Sequence, residues 1–216
     1  MDWDKARYLM VEQQIRPWDV LDQTVLQLLL EIKREDFVPA AYRDMALVDI
    51  ELPLGNGRKA WQPRVEARAA QELKLTGKEH VLLIGASTGF LAALLARLAK
   101  HVQVVEPDAA QAEHAKAALH AAGIHNVTVE VGDAVNGWAA HAPYDAIIAS
   151  GSYPLKPQVL FEQLNDGGRV FAVVGEEPAM SATRYTKVGS SIKEEKLFET
   201  VIAPFVNAPQ PARFQF

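Results

Sequence analysis

The 216-residue sequence has no cysteine, which excludes a disulfide-bonded scaffold, a thiol nucleophile, a thiolate zinc site and an iron–sulfur cluster. It also lacks a long apolar run, because the longest, residues 90–96, is far shorter than the ~20 residues that cross a bilayer. Positive charge is not in excess, since 22 Lys and Arg face 27 Asp and Glu for a net charge of −5. Neither a membrane nor a nucleic acid is therefore expected as a partner, because affinity for polyanions needs clustered cations.

Two further signals are missing. The first residues are acidic, with Asp2 and Asp4, where a secretory signal peptide would be basic, so a cytoplasmic location is expected. Six histidines are present, but the pair closest in sequence, His120 and His125, is separated by Gly123 and has no acidic cluster beside it. No metal site is therefore expected.

Beyond residue 78, short apolar runs alternate with segments of helical periodicity. Strands that alternate with helices are joined by right-handed crossovers, which give a mostly parallel sheet covered on both faces. The predicted strands are 81–84, 102–106, 127–131, 144–149 and 169–174, and the predicted helices are 90–99, 109–122 and 158–164. Two more strands, 183–188 and 196–202, have no helix between them and predict an antiparallel pair at one edge.

The first third of the chain has a different character. Apolar residues at helical spacing predict a helix over 20–34, and Pro63 suits the first position of another. Pro53, Gly55 and Gly57 predict a loop over 49–62. The predicted fold class is therefore α/β, a doubly wound and mostly parallel Rossmann-like sheet with an N-terminal helical segment and an antiparallel C-terminal strand pair.

The connection after the first strand of this sheet is the expected ligand site. In doubly wound sheets ligands bind outside the carboxyl ends of the strands, and a helix N-terminus there attracts anionic groups. Glu106 stands 21 positions after Gly85, at the end of the next strand, where a carboxylate can accept both hydrogen bonds of a ribose diol. These features predict a nucleoside-containing cofactor, whereas the alternative is a tight turn without a ligand. The predicted binding residues are Gly85, Ala86, Ser87, Gly89 and Glu106.

The loop composition favours one cofactor over others. A dinucleotide-binding G-x-G-x-x-G would need glycine where Ser87 and Phe90 stand, so a nicotinamide-dependent oxidoreductase is disfavoured. S-adenosylmethionine has no phosphate, so its loop tolerates more bulk. Asp133, with Ala134 beside it, follows the strand 127–131, where a carboxylate can accept from the adenine amino group. A role for Asp133 in a turn is an equal alternative.

Six different short motifs follow one another along nearly the whole chain, each present once. They are Met-Val-Glu-Gln-Gln-Ile at 10–15, Phe-Val-Pro at 37–39, the segment 52–63, Gly-Asp at 132–133, Ala-Pro-Tyr-Asp-Ala-Ile-Ile at 142–148 and the segment 163–169. Together they resemble the protein-L-isoaspartate O-methyltransferase family.

The resemblance implies a single class I methyltransferase domain over 1–216. Residues 1–78 would form a helical cap and active-site loop, and residues 79–216 the cofactor-binding α/β core. It implies an S-adenosylmethionine-dependent enzyme that methylates the free α-carboxylate of isoaspartyl residues in a protein or peptide. The ester then closes to a succinimide, which reopens partly to normal aspartate. Arg58, Lys59 and Gln62 would lie in the substrate loop.

The chain departs from the family pattern at three places. Members usually carry Thr-Ile-Ser before the Gln-Pro pair, and Trp61 stands at the position of that active-site serine. Leu83 replaces the usual acidic residue before the loop, and Ser87 replaces its middle glycine. The alternative is therefore a divergent member that binds the cofactor or a partner but lacks isoaspartyl methyltransferase activity.

Overall fold

The computed structural model describes residues 1–55 and 57–211, so positions 212–216 of the predicted core lie outside the described residues. The helices are α1 Trp3–Met10, α2 Gln23–Glu31, α3 Pro63–Glu72, α4 Phe90–Leu98, α5 Ala109–Ala121 and α6 Gln158–Glu162. The strands are β1 Leu52–Gly55, β2 Arg58–Ala60, β3 His80–Ile84, β4 His101–Glu106, β5 Val127–Val131, β6 Tyr144–Tyr153, β7 Leu164–Glu176, β8 Ala179–Val188 and β9 Ser191–Glu199. None of the described helices is long and apolar enough to cross a membrane.

Seven strands form the central sheet in the order β5-β4-β3-β6-β7-β8-β9. Strands β5, β4, β3, β6 and β7 are parallel, whereas β8 and β9 add to the β7 edge in antiparallel pairs. The chain runs outward from β3 to β4 and then crosses to β6 on its other side, so strand order reverses at β3. The predicted doubly wound sheet with an antiparallel C-terminal pair is confirmed.

The sheet is buried on both faces, as an apolar parallel strand requires. Val81 and Leu83 of β3 belong to a core cluster with residues of α2, α3, α4 and α5. Their neighbours Leu82 and Ile84 point the other way, into a second cluster that includes Leu160 of α6. Successive residues of β3 therefore fill two separate cores, which fixes the register of this strand.

The predicted loop over 49–62 is wrong, because this segment contains the hairpin β1–β2. Leu52 pairs with Ala60, and both side chains are fully buried in a small cluster with Val38. The two glycines that suggested a loop instead form the turn, with φ of +89° at Gly55 and +74° at Gly57. One apolar face of the hairpin thus packs against the rest of the protein.

Several other predicted elements are present with different ends. Strands β6 and β7 extend well beyond the predicted 144–149 and 169–174, helix α6 is shorter than predicted, and the last strand ends at Glu199. The helix predicted over 20–34 begins only at Gln23, because the Asp22 side chain accepts hydrogen bonds from the first turn. Leu21 therefore precedes the helix, and its side chain is exposed.

A fully buried guanidinium joins the N-terminal segment to α3. Arg34 Nε donates to Glu66 Oε2 at 2.9 Å, Nη1 to the Ala46 carbonyl at 2.6 Å and Nη2 to the Trp61 carbonyl at 2.8 Å. Glu66 is also buried, and burial raises its pKa while Arg34 opposes that change. The charge on each partner is therefore tolerated only because the other is present.

Removing this guanidinium should unfold the protein much more easily. Arg34→Ala is expected to lower the free energy of unfolding by about 3–5 kcal/mol, because it leaves a buried carboxylate and two buried carbonyls without a donor. Arg97→Ala is the matched control, since Arg97 pairs with Glu31 at 3.3 Å on the surface, and its loss should cost less than about 1 kcal/mol. Urea denaturation measures both, and equal losses would contradict the role assigned to Arg34.

Candidate cofactor site

The loop between β3 and α4 adopts a conformation that favours glycine at both ends. Gly85 has a φ of +86° and Gly89, the N-cap of α4, a φ of +90°. A Cβ at Gly85 would lie 2.1 Å from Ser150 Oγ, and one at Gly89 would lie 3.3 Å from the Ala115 backbone. The loop therefore fits closely between the end of β6 and helix α5.

Ser87 takes the place of glycine at the middle of this loop at a conformational cost. Its φ of +51° is unusual for a residue with a side chain. The Gln111 side chain donates to the Ser87 carbonyl and so supports this backbone from α5. The Ser87 hydroxyl is buried without a hydrogen-bond partner. An unpartnered buried hydroxyl in the predicted cofactor loop is available to a ligand.

Glu106 connects this loop to the end of β4. The side chain is only 2% exposed, and Oε2 accepts from the Ala86 amide at 2.8 Å. Oε1 accepts from the Asp108 amide at 3.0 Å and from Arg58 Nη1 at 2.5 Å. The structure thus brings together three of the predicted residues, Ala86, Glu106 and Arg58, the last from the hairpin.

The turn after β5 lies beside this group. The Gly132 amide donates to the Glu106 carbonyl at 3.0 Å, so the ends of β4 and β5 meet. Asp133 Oδ1 accepts from the Val135 amide at 3.0 Å, which is the turn role considered as an alternative. Asp133 Oδ2 accepts from Asn207 Nδ2 at 2.6 Å, and Ala134 is buried. A contact of Asp133 or Ala134 with adenine stays a prediction.

The other residues of the predicted substrate loop lie in different surroundings. Lys59 is on the exposed side of the hairpin and donates to Glu51 at 3.0 Å, a contact that raises the pKa of Lys59. Gln62 is the N-cap residue of α3, although its side chain makes no cap hydrogen bond. Neither contacts Glu106, so only Arg58 of the predicted loop reaches the cofactor side.

Trp61 is part of the core. Its side chain is 4% exposed, and its ring centroid lies 6.3 Å from that of Phe171 on β7. The indole nitrogen is buried without a partner. A cavity of about 10 Å³, lined by Trp61, Gln62 and Thr200 among others, lies next to it and is close to the smallest space that holds one water.

The C-terminal segment supplies residues that the sequence analysis missed. The Phe205 ring covers Gly151 so closely that a Cβ there would lie 2.8 Å from a ring carbon. The segment also binds the backbone of β6, because the Phe205 amide donates to the Ser152 carbonyl at 3.2 Å. Asn207 follows and reaches Asp133. Gly151 lies beyond the predicted strand 144–149, so it is only in the longer observed strand β6 that this glycine marks a close approach.

A cavity of about 490 Å³ adjoins this end of the sheet. Its lining includes Asn136, three residues after Asp133, and Tyr153 at the end of β6. The Tyr153 hydroxyl donates to the Val135 carbonyl at 2.8 Å, which ties the turn to β6. The volume falls in the range of about 300–1,000 Å³ that is typical of small-molecule sites, but none of the predicted cofactor residues lines this cavity.

Comparison with known proteins identifies the family. A sequence model described as "Protein-L-isoaspartate(D-aspartate) O-methyltransferase (PCMT)" matches residues 6–210. The chain belongs to this family. Protein-L-isoaspartate O-methyltransferase 1 of Rhodopseudomonas palustris (strain HaA2) is 39% identical, with 95% of this chain and 87% of that protein covered. The protein-L-isoaspartate O-methyltransferase of Roseiflexus castenholzii is 36% identical, with coverage of 95% and 94%.

Solved structures agree on the fold. A protein-L-isoaspartate O-methyltransferase structure superposes with a TM-score of 0.76 and 26% identity, covering 94% of this chain and 65% of that chain. A putative protein-L-isoaspartate O-methyltransferase from Plasmodium falciparum, in complex with S-adenosyl-L-homocysteine, gives 0.78 at 14% identity, with coverage of 94% and 98%. The class I methyltransferase fold implied by the sequence is confirmed.

The close fit of the Gly85 loop can be tested by adding one methyl group. Gly85→Ala should cost about 1–3 kcal/mol for the backbone conformation and about 0.5–1.5 kcal/mol more, because the Ser150 hydroxyl must rotate away from the added methyl group. Gly77→Ala is the matched control, because Gly77 has a φ of +90° but open space around the Cβ position. Urea denaturation of both variants separates the two costs. Equal losses would show that the loop is not tightly packed.

Proposed function

We propose that the protein is an S-adenosylmethionine-dependent methyltransferase that methylates the free α-carboxylate of isoaspartyl residues in proteins or peptides. The observation that carries this proposal is the family match over 6–210, which extends through cap, hairpin and core. Two relatives that are 39% and 36% identical to this chain, over 95% of its length, bear the name of that activity. No comparison favours the alternative of a member that binds without transferring methyl groups.

The residues present fit the cofactor. The Ser87 hydroxyl is buried without a partner, and Glu106 presents a buried carboxylate at the same loop. We assign the ribose hydroxyls to Glu106, and the adenine to Asp133 and Ala134. The loop residues Gly85, Ala86, Ser87 and Gly89 would hold the remaining part. When bound, S-adenosylmethionine supplies a sulfonium-activated methyl group to an oxygen nucleophile.

Methylation of a carboxylate does not require a strong acid or base from the protein. A carboxylate is already deprotonated at pH 7, so no side chain has to remove a proton from it. What the protein must supply is position and the exclusion of water. Trp61, buried at the position of the usual serine, would serve this requirement by excluding water, and its indole N–H can donate but not accept a hydrogen bond. A protein or peptide acceptor in a reducing, cytoplasmic compartment is compatible with the absence of cysteine.

The activity can be measured directly with a pair of peptides. Incubation with S-adenosylmethionine labelled on the methyl group should produce a base-labile methyl ester on a peptide that contains one isoaspartyl residue. The same peptide with normal aspartate should remain unlabelled, because its side-chain carboxylate is displaced by one methylene from the position of the α-carboxylate. Labelling of both peptides, or of neither, would contradict the proposed substrate.

The assignment of Glu106 has its own test. Glu106→Gln should weaken the binding of S-adenosylhomocysteine by roughly 10- to 100-fold, because an amide offers one acceptor oxygen where the ribose diol needs two, and hydrogen bonds to charged groups are worth about 1.5–3 kcal/mol. Calorimetric titration measures this affinity. Glu130→Gln is the control, since Glu130 lies on β5 and accepts from Gln103 and Trp138 rather than from the loop. Equal affinities of the two variants would overturn the assignment.

A further inference from the structure

The ribose-binding carboxylate already has a cationic partner within the chain. Arg58 Nη1 lies 2.5 Å from Glu106 Oε1, and its Nη2 lies 2.8 Å from Asp108 Oδ2. Arg58 is the first residue of β2, so this contact joins the hairpin to the end of β4 across 48 positions of sequence. The Arg58 guanidinium therefore contacts Glu106, the same carboxylate that we assign to the ribose of the cofactor.

The hydrogen-bonding capacity of Glu106 makes this contact competitive with a ribose. An ionised carboxylate has about four acceptor sites, and three are used, by the amides of Ala86 and Asp108 and by Arg58. A ribose diol donates two hydrogen bonds and needs two free sites. The two amides are fixed by the backbone, so Arg58 is the only one of these three donors that a side-chain rotation can remove.

Arg58 can move away while Glu106 and Asp108 keep their other hydrogen bonds. Its side chain is 32% exposed, so water can replace its contacts. Glu106 keeps its two amide donors after Arg58 departs. Asp108 remains the N-cap of α5, because Oδ1 accepts from the amides of Ala110 and Gln111. The cost of opening is therefore that of one partly solvated ion-pair cluster.

We propose that Arg58 closes the cofactor site by occupying Glu106, and that S-adenosylmethionine or S-adenosylhomocysteine binds only when Arg58 releases this carboxylate. The proposal rests on the proposed function, because it requires Glu106 to receive the ribose. Since Arg58 belongs to the hairpin that leads into Trp61, release also frees the hairpin from β4 when the cofactor enters. Cofactor binding and hairpin position are thereby linked, and the linkage is reciprocal.

The test is the affinity for S-adenosylhomocysteine, measured by calorimetry without any methyl acceptor. Arg58→Gln should bind roughly 5- to 30-fold more tightly than the natural protein, since the charge-assisted contacts it removes are stronger than neutral ones but are partly screened by water. Raising the ionic strength should tighten binding to the natural protein, because salt screens the ion pair. The same change should have little effect on Arg58→Gln.

Two further variants keep the result specific. Arg43→Gln removes the same charge from an exposed pair with Asp36, away from the hairpin, and should leave the affinity unchanged. Arg58→Lys keeps the charge but cannot bridge both carboxylates with one planar fork, so its affinity should be intermediate. Thermal unfolding of each variant with and without ligand shows that the folded protein is being compared.

The outcomes separate this proposal from the proposed function. If Arg58→Gln and the natural protein bind S-adenosylhomocysteine equally, the closing role of Arg58 is overturned, while methyl transfer to the isoaspartyl peptide would leave the function standing. If Arg58→Gln binds more tightly but no ester forms, the role of Arg58 stands and the function fails. If no variant binds the ligand, both are overturned.

Discussion

The arrangement of the site depends on one buried ion pair, that of Arg34 and Glu66. The guanidinium has three partners that belong to different segments, namely a side chain of α3 and the carbonyls of Ala46 and Trp61. Because the Trp61 carbonyl is one of these partners, the chain leaving β2 has a fixed position relative to α3. The hairpin is therefore oriented from its exit, although its turn projects away from the core.

This constraint carries through to the cofactor side of the sheet. With the exit of β2 fixed, Arg58 at the start of the same strand falls within reach of Glu106. Glu106 in turn holds the Ala86 amide, and so positions the loop that follows β3. A chain of contacts thus leads from a fully buried pair, through one short strand, to a partly exposed pair at the mouth of the site. Water cannot replace the first pair, whereas the second, in which the Arg58 side chain is 32% exposed, is the contact that we propose to open.

The features that could be predicted from the sequence are those whose interacting residues are close together along the chain. Strands β3, β4 and β5 and the loop at Gly85 were predicted because the apolar runs and glycines that define them are local in sequence. The hairpin was missed because Leu52 and Ala60 are buried by contacts with Val38, which no local pattern reveals. Contacts of Phe205 with Gly151 and of Asn207 with Asp133 span more than fifty positions. Their detection needed the three-dimensional path of the C-terminal segment.

The replacement of a serine by Trp61 is compatible with the chemistry for a related reason. In a methyl-transfer site a hydroxyl can either accept a proton or donate a hydrogen bond. When the group to be methylated is a carboxylate, which is already deprotonated, only a hydrogen-bond donor is useful. The indole N–H is also a donor, but it is buried without a protein partner, and the cavity of about 10 Å³ that Trp61 lines has room for one water. The ring is held against Phe171, and its backbone is held by Arg34. What the substitution changes is therefore the room left for the acceptor, since an indole fills space that a hydroxymethyl group would leave open.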